Sequence, residues 1–201
     1  VPTANQEARN EKRRRILDAA TREFSSRGFY RTRISDIAKA ANVADGTVYL
    51  YFDGKEELLG AIFDDSMKRF IATGRKDLEG IEAAPDRLRH ILDLHLRSLG
   101  ADRELTTVFQ IELRHSIRFM DLYSRGRLRD YFTLIEGVLK DGQKDGSVRA
   151  DLDTWFATKC IFGILDEAAT NWVLSEKNYR LHAILEPIMD FVMAGVKTSD
   201  S

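Results

Sequence analysis

The chain has 201 residues, 43% of them hydrophobic, and a formal net charge of −1, enough for one large domain or two small ones around a substantial core. No stretch reaches the roughly 18 uncharged apolar residues needed to cross a bilayer, which argues against a membrane partner. A single cysteine, Cys160, excludes an intrachain disulfide framework and fits a reducing cytoplasm.

Three prolines and the absence of alternating β-branched runs point to an all-α protein. Residues 1–55 carry 11 Lys/Arg against 7 Asp/Glu, whereas the remainder carries 20 against 25. A basic head on an acidic body suggests an anionic polymer bound at one end. The first ten residues, VPTANQEARN, are given no fold. In KRRRILDAATREFSSRGF, Ile16, Leu17, Ala20 and Phe24 form one helical stripe, and Gly28 is a natural stop. A second helix is expected over 34–41, with apolar Ile34, Ile37, Ala38 and Ala41, and a third over 45–52.

Only Asn42-Val43-Ala44 connect those two helices, so they must cross steeply. Ala38 lets them approach, Asn42 sits where a left-handed residue is needed, and Val43 and Val48 fill the angle. This is the pattern of a helix-turn-helix, whose partner is the major groove of duplex DNA. Gly46 admits a phosphate close to the backbone, and Thr47 can contact a base edge or a thymine methyl. Tyr49 and Tyr51 can offer hydroxyls to phosphates, with Lys55 adding charge; Tyr51 serves equally well as core, and Phe52 better as core. Asp45 either caps the third helix or accepts from cytosine N4.

The stretch ILDAATREFSSRGFYRTRISDIAKAANVADGTVYLYFDGKEELLGAIF, residues 16–63, resembles the N-terminal domain of TetR-family transcriptional regulators. Gly28-Phe29, Ile37-Ala38, Gly46-Thr47-Val48-Tyr49, Tyr51-Phe52 and Lys55-Glu56-Glu57-Leu58 carry the likeness. It departs at Arg33, where the family usually has Thr or Ser as cap and phosphate contact. Thr32 is the alternative cap, and Arg33 can reach phosphate by charge. The resulting division is a helix-turn-helix domain over 8–54 and an effector-binding and dimerisation domain over 55–198, about nine helices in all.

Six helices are expected beyond residue 55: about 55–79, 85–99, 103–118, 122–144, 152–175 and 178–196. DTWFATKCIFGILDEAATNWVL is apolar nearly all round, and the last helix has a similar surplus. Both therefore need cover on two sides, which predicts a two-fold homodimer joined as a four-helix bundle. Trp155, Phe156, Cys160, Gly163, Ile164, Ile184, Ile188 and Phe191 are its expected contacts. Gly163 would permit close approach, and Pro187 should kink the last helix. A dimer places two recognition helices about 34–36 Å apart on a near-palindromic operator.

Phe63, Met67, Phe70, Leu92, Leu96, Phe109, Leu113, Phe132 and Phe162 are candidate linings of an internal slot. His95 lies on an apolar face with Leu88, Leu92 and Leu99, where a hydrogen-bonded core role competes with a binding role. The segments FQIELRHS (109–116) and FGILDEAATNWVL (162–174), with VADGTVYLYF (43–52), resemble a narrower TetR-type group, the FadR repressors of fatty-acid degradation. That resemblance implies long-chain acyl-CoA as the effector that releases the repressor from its operator, with no cofactor. Cations are then needed for the CoA phosphates, with Arg89, Arg97, Arg103, Arg114 and Arg118 as candidates. A TetR-type repressor sensing another hydrophobic molecule, such as a drug or an aromatic acid, is the competing reading. An enzyme is disfavoured: there is no Gly-rich phosphate loop, no nucleophile elbow and no metal-ligand spacing, His90 and His95 being five apart.

Overall fold

A computed structural model describes residues 3–115, 126–177 and 179–198. Among the described residues there are nine α-helices and no strand: α1 (Ala4–Arg27), α2 (Ile34–Ala40), α3 (Asp45–Tyr49), α4 (Lys55–Asp77), α5 (Ala84–Gly100), α6 (Arg103–Thr107), α7 (Arg127–Asp145), α8 (Thr154–Leu174) and α9 (Leu185–Val196). None is long and apolar enough to cross a membrane. Helix α6 runs on through a π turn, Val108–Glu112, and a 3-10 turn, Leu113–His115. The remaining ends of the helices expected over 103–118 and 122–144 fall outside the described residues.

Local chemistry accounts for most of the boundaries. Asp102 and Asp153 cap α6 and α8 by accepting from Leu105 N and Phe156 N at 2.9 and 3.0 Å. Pro85 occupies the first turn of α5, where a missing N–H costs nothing. Glu56 and Glu57 open α4 while Arg75 and Lys76 close it, each matched to the helix dipole. Gly146, at φ 83°, ends α7 in the left-handed region.

Two expectations fail here. Residues 4–10 belong to α1, whose first turn is capped by Thr3, rather than lacking a fold. Pro187 does not kink a long terminal helix. It is the third residue of α9, among the N–H groups that have no intrahelical partner, and a 3-10 turn, Leu181–Ile184, precedes it. The pyrrolidine cannot bond to the carbonyl four residues back, so it sets where the α-helix begins.

Helix α1 packs on α2, α4 and α6, joining the small N-terminal unit to the larger bundle. In the bundle, α5 lies against α7, α8 and α9, while α7 and α8 pair along their length. One continuous apolar core runs through both parts, from Ile16 and Phe24 to Leu165 and Val192.

Candidate functional site

The tip of the N-terminal unit is assembled around one corner and one turn. Asn42 has φ 54°, the left-handed conformation its place in the turn requires. Arg15 reaches over from α1 and donates to the carbonyls of Ala41 and Asn42 at 2.6 and 3.3 Å, so this basic residue closes α2. Gly28, at φ 82°, ends α1. Thr32 is buried, its hydroxyl donating to the carbonyls of Glu23 and Gly28 at 3.1 and 2.9 Å. It thus ties down the end of α1 and does not cap α2, a correction to the role given it, and it does not face outward to a phosphate. Arg33 itself holds the cap position of α2. A guanidinium has no acceptor, so the bond made there is Arg33 N–H to Asp36 Oδ2 at 3.1 Å, which leaves the charged end exposed.

On α3, Ala44 precedes the first turn and no side chain caps it. Asp45 is therefore not the cap; it is exposed at the first helical position, favourable for the dipole and open to a partner. A Cβ on Gly46 would meet nothing within 4 Å, Tyr49 is 56% exposed, and Thr47 is half-buried. Tyr51 is half-buried between Phe52 and the Arg9 guanidinium, 5.9 Å from its ring. Lys55 turns inward: Nζ donates to the carbonyls of Phe29 and Tyr30 at 2.8 and 3.3 Å and lies over the Phe29 ring. One N–H remains for an outside acceptor.

The second site is an internal cavity of about 570 Å³ among α4–α8, within the range of small-molecule sites. Phe63, Met67 and Phe70 enter from successive turns of α4, and Phe109, Leu113 and Arg114 from the π and 3-10 turns after α6. His95 and Phe162 complete the sequence-predicted lining. Leu92 and Leu96 do not reach it; with Leu88 they make the neighbouring, fully buried stripe of α5. Phe132 packs on Trp155 and Phe162 instead, and Arg97 is on the surface, paired with Asp93 at 2.7 Å.

Lining residues missed from sequence include Arg69, Ser98, Gln110 and Tyr131. Leu94 and Ser98 show as an i, i+4 pair beside His95, a usable signal. Tyr131 meets His95 across 36 residues of chain, for which no local pattern exists.

The polar part of the wall is tightly bonded. Gln110 Oε1 accepts from Arg114 at 3.0 Å and from Thr170 at 2.9 Å, and Arg114 pairs with Asp166. Tyr131 and His95 are hydrogen-bonded at 2.9 Å and stacked, with Phe70 edge-on to both. Burial pushes the His95 imidazole down to about 4, the charge of Asp166 working against it, and pushes the Tyr131 phenol upward. Both are neutral near pH 7.

The arginines proposed for phosphates are largely engaged. Arg89 pairs with Glu186, and Arg103 donates to the carbonyls of Trp172, Val173 and Ser175 at the C-terminal end of α8 while covering the Trp172 ring. Arg118 lies outside the described residues. Arg69, on the cavity wall, makes no ion pair among the described residues; its one bond is to Ser66 Oγ at 3.3 Å. Among those residues no group of His, Cys, Asp and Glu could hold a metal.

Helices α8 and α9 leave a surface of their own. Phe156, Leu174 and Phe191 are 65%, 67% and 70% exposed. Trp155, Cys160 and Gly163 are exposed beside them, with Ile164 and Ile184 half-buried. Ile188 is a correction, since it is buried in the core of its own chain.

A helix-turn-helix tip joined to a hollow helical body is matched by known proteins over about nine-tenths of the chain. Residues 16–62 match the bacterial regulatory proteins of the tetR family, and residues 63–195 match the YsiA-like protein C-terminal region. The chain is 33% identical to the fatty acid metabolism regulator protein of Bacillus subtilis over 181 residues, covering 90% of this chain and 93% of that protein. Among solved structures, the fatty acid degradation regulator FadR from Bacillus halodurans superposes with a TM-score of 0.87 at 36% identity, covering 92% of this chain and 95% of the other. FadR from Bacillus subtilis in complex with stearoyl-CoA does so at 0.86 and 32%, covering 90% and 98%. With both domains matched in order and the turn at Asn42 formed as a DNA-reading motif requires, the chain belongs to the TetR family of bacterial regulatory proteins, DNA-binding regulators rather than enzymes.

Proposed function

We propose that the protein is a homodimeric repressor that binds a near-palindromic operator through α2 and α3 and leaves it when a long-chain acyl-CoA occupies the cavity. The observation that carries the effector assignment is the cavity itself. Its α4 and α6 walls are aromatic and aliphatic, each methylene buried there would contribute about 0.8 kcal/mol, and a relative with the same architecture binds stearoyl-CoA. Arg69, without an ion pair among the described residues, is the cavity-wall cation offered to an anionic headgroup. The dimer is supported by the exposed apolar side chains of α8 and α9, Phe156 and Phe191 foremost. A protein that reads chromosomal DNA works in the cytoplasm.

The route from cavity to DNA runs through the corner between α1 and α2. Glu112, in the π turn between the cavity residues Gln110 and Leu113, accepts from Phe29 N–H at 2.7 Å. A π turn holds one residue more than an α turn, so it can relax by shifting register. An acyl chain pressing on Phe109 and Leu113 would move Glu112 and loosen the corner that orients α2 and α3.

The deciding experiment is an operator gel shift titrated with palmitoyl-CoA and, separately, palmitate. Release by the CoA ester at concentrations where the free acid is inactive is expected. Release by free acid alone, or by neither, refutes the effector assignment; release by aromatic drugs instead would favour a sensor of other hydrophobic molecules.

A further inference from the structure

His95 Nε2 is buried without a hydrogen-bond partner among the described residues, on a residue only 8% exposed that lines the cavity. An orphaned buried polar atom costs about 5- to 150-fold in a binding or folding equilibrium, so its persistence in a ligand chamber calls for a partner that arrives with the ligand. The other ring nitrogen fixes what that partner must be. Were Nδ1–H to donate to Tyr131, the phenol hydrogen would have no acceptor among the described residues and Nε2 would be a bare acceptor, two unmet groups. With the phenol donating to Nδ1 at 2.9 Å, only Nε2–H is unmet. The second arrangement is the stable one, and it presents a donor.

The surroundings narrow the acceptor further. Phe70 and Phe162 stand edge-on to the imidazole, with centroids 5.9 and 6.3 Å away, and the Tyr131 ring covers a face. Little room for other polar groups remains, so the acceptor should be flanked by hydrocarbon. It should also be neutral. The imidazole carries no charge near pH 7, Asp166 exerts its negative charge on the site, and Arg114 is already paired with Asp166. A carboxylate held at His95 would gain no opposite charge from the neutral ring or from the Arg114–Asp166 pair, Arg69 being the cation assigned to the headgroup.

We infer that His95 Nε2–H recognises a neutral carbonyl oxygen on the effector, with Tyr131 as the positioning residue that holds the imidazole in the donating tautomer. On the acyl-CoA reading, on which this identification rests, the oxygen is the thioester carbonyl, and the site discriminates thioester from free acid.

The test compares palmitoyl-CoA with hexadecyl-CoA, its thioether lacking the carbonyl, by titration calorimetry on the intact protein. The wild type should bind the thioester about tenfold more tightly. His95→Leu should bind both alike, His95→Gln should keep part of the preference through its amide N–H, and Tyr131→Phe should weaken it. Circular dichroism would establish that each variant folds. A symmetrical dialkyl ketone against the alkane of equal length, followed by thermal shift, probes the same donor without CoA. Should neither CoA compound bind, the acyl-CoA reading fails, while a ketone preference lost in His95→Leu still supports the donor. Equal binding within both pairs, or a preference that survives His95→Leu, overturns the inference.

Discussion

Acidification should destabilise the protein through His95, and the effect can be separated from every other titration. The imidazole has an ordinary value of 6.5 and is pushed down to about 4 by burial in the fold. The unfolded chain therefore takes up a proton near pH 6.5, whereas the folded chain resists until near pH 4. Stability from this group is intact above 6.5, falls as the pH drops toward 4, and is lost below. At about 1.36 kcal/mol per unit the full loss is about 3 kcal/mol, with about 2 kcal/mol already gone at pH 5. Urea unfolding of wild type and His95→Leu, at about pH 7.5 and about pH 5 and equal protein concentration, isolates it. His95→Leu also leaves the Tyr131 hydroxyl unpaired, but that phenol stays neutral throughout and contributes only a constant offset. The wild type should lose about 2 kcal/mol more than His95→Leu over this interval. Equal losses would mean that water reaches the imidazole and that the cavity wall is not closed there.

Four further outcomes are expected. Tyr49→Ala should weaken operator and bulk DNA binding about equally in gel shifts, the outcome expected of an exposed α3 phenol whose proposed partner is a phosphate and not a base. Phe191→Asp should shift sedimentation toward the monomer and abolish operator binding, since it places a charge in the exposed strip of α9. Gly142→Ala should lower the thermal midpoint by the equivalent of about 1–3 kcal/mol: its Cβ would lie 2.5 Å from Val148 Cγ2 and 3.1 Å from Ala84 Cβ. Val148→Ala in the same chain should restore part of that loss. Glu112→Ala should bind palmitoyl-CoA at least as tightly as the wild type, there being no Glu112 tie left to break, while reducing the ratio of operator affinities without and with effector by about tenfold. Glu112→Gln, which keeps an acceptor for Phe29 N–H, should retain most of the ratio.

What could be read from the sequence was set by local geometry. Asn42 between two short helices and the Phe63-Met67-Phe70 stripe act within a few residues of themselves, and each occupies its expected place. Distant partners were illegible. Nothing in the neighbourhood of Arg15, Lys55 or Thr32 tells that their polar ends turn inward to carbonyls 26, 26 and 9 residues away. A basic or hydroxylic residue in a DNA-binding segment is otherwise a natural phosphate contact. The α5 stripe was misjudged for a related reason. Its period groups Leu92 with His95, but the cavity lies between two faces of the helix, so His95 and Leu99 line it with Leu94 and Ser98 while Leu88, Leu92 and Leu96 face the core. Periodicity locates a buried face and is blind to the hollow beside it.

The corner at Phe29 explains why one small cavity could govern DNA binding. Its N–H is held by Glu112 and its carbonyl by Lys55. Glu112 belongs to the wall that follows α6, while Lys55 begins α4, the helix that carries Phe63, Met67 and Phe70 into the cavity. A single residue at the base of the helix-turn-helix is thus tied to two walls of the chamber. Any ligand that spreads those walls strains both ties together, and an apolar chain has no need to touch the DNA-binding unit to be felt there. Each tie is a hydrogen bond to a charged group, worth about 1.5–3 kcal/mol, and allosteric couplings typically amount to about 1–3 kcal/mol. Losing one tie is therefore enough to account for effector-driven release, and retaining both is enough to keep the empty repressor poised for DNA.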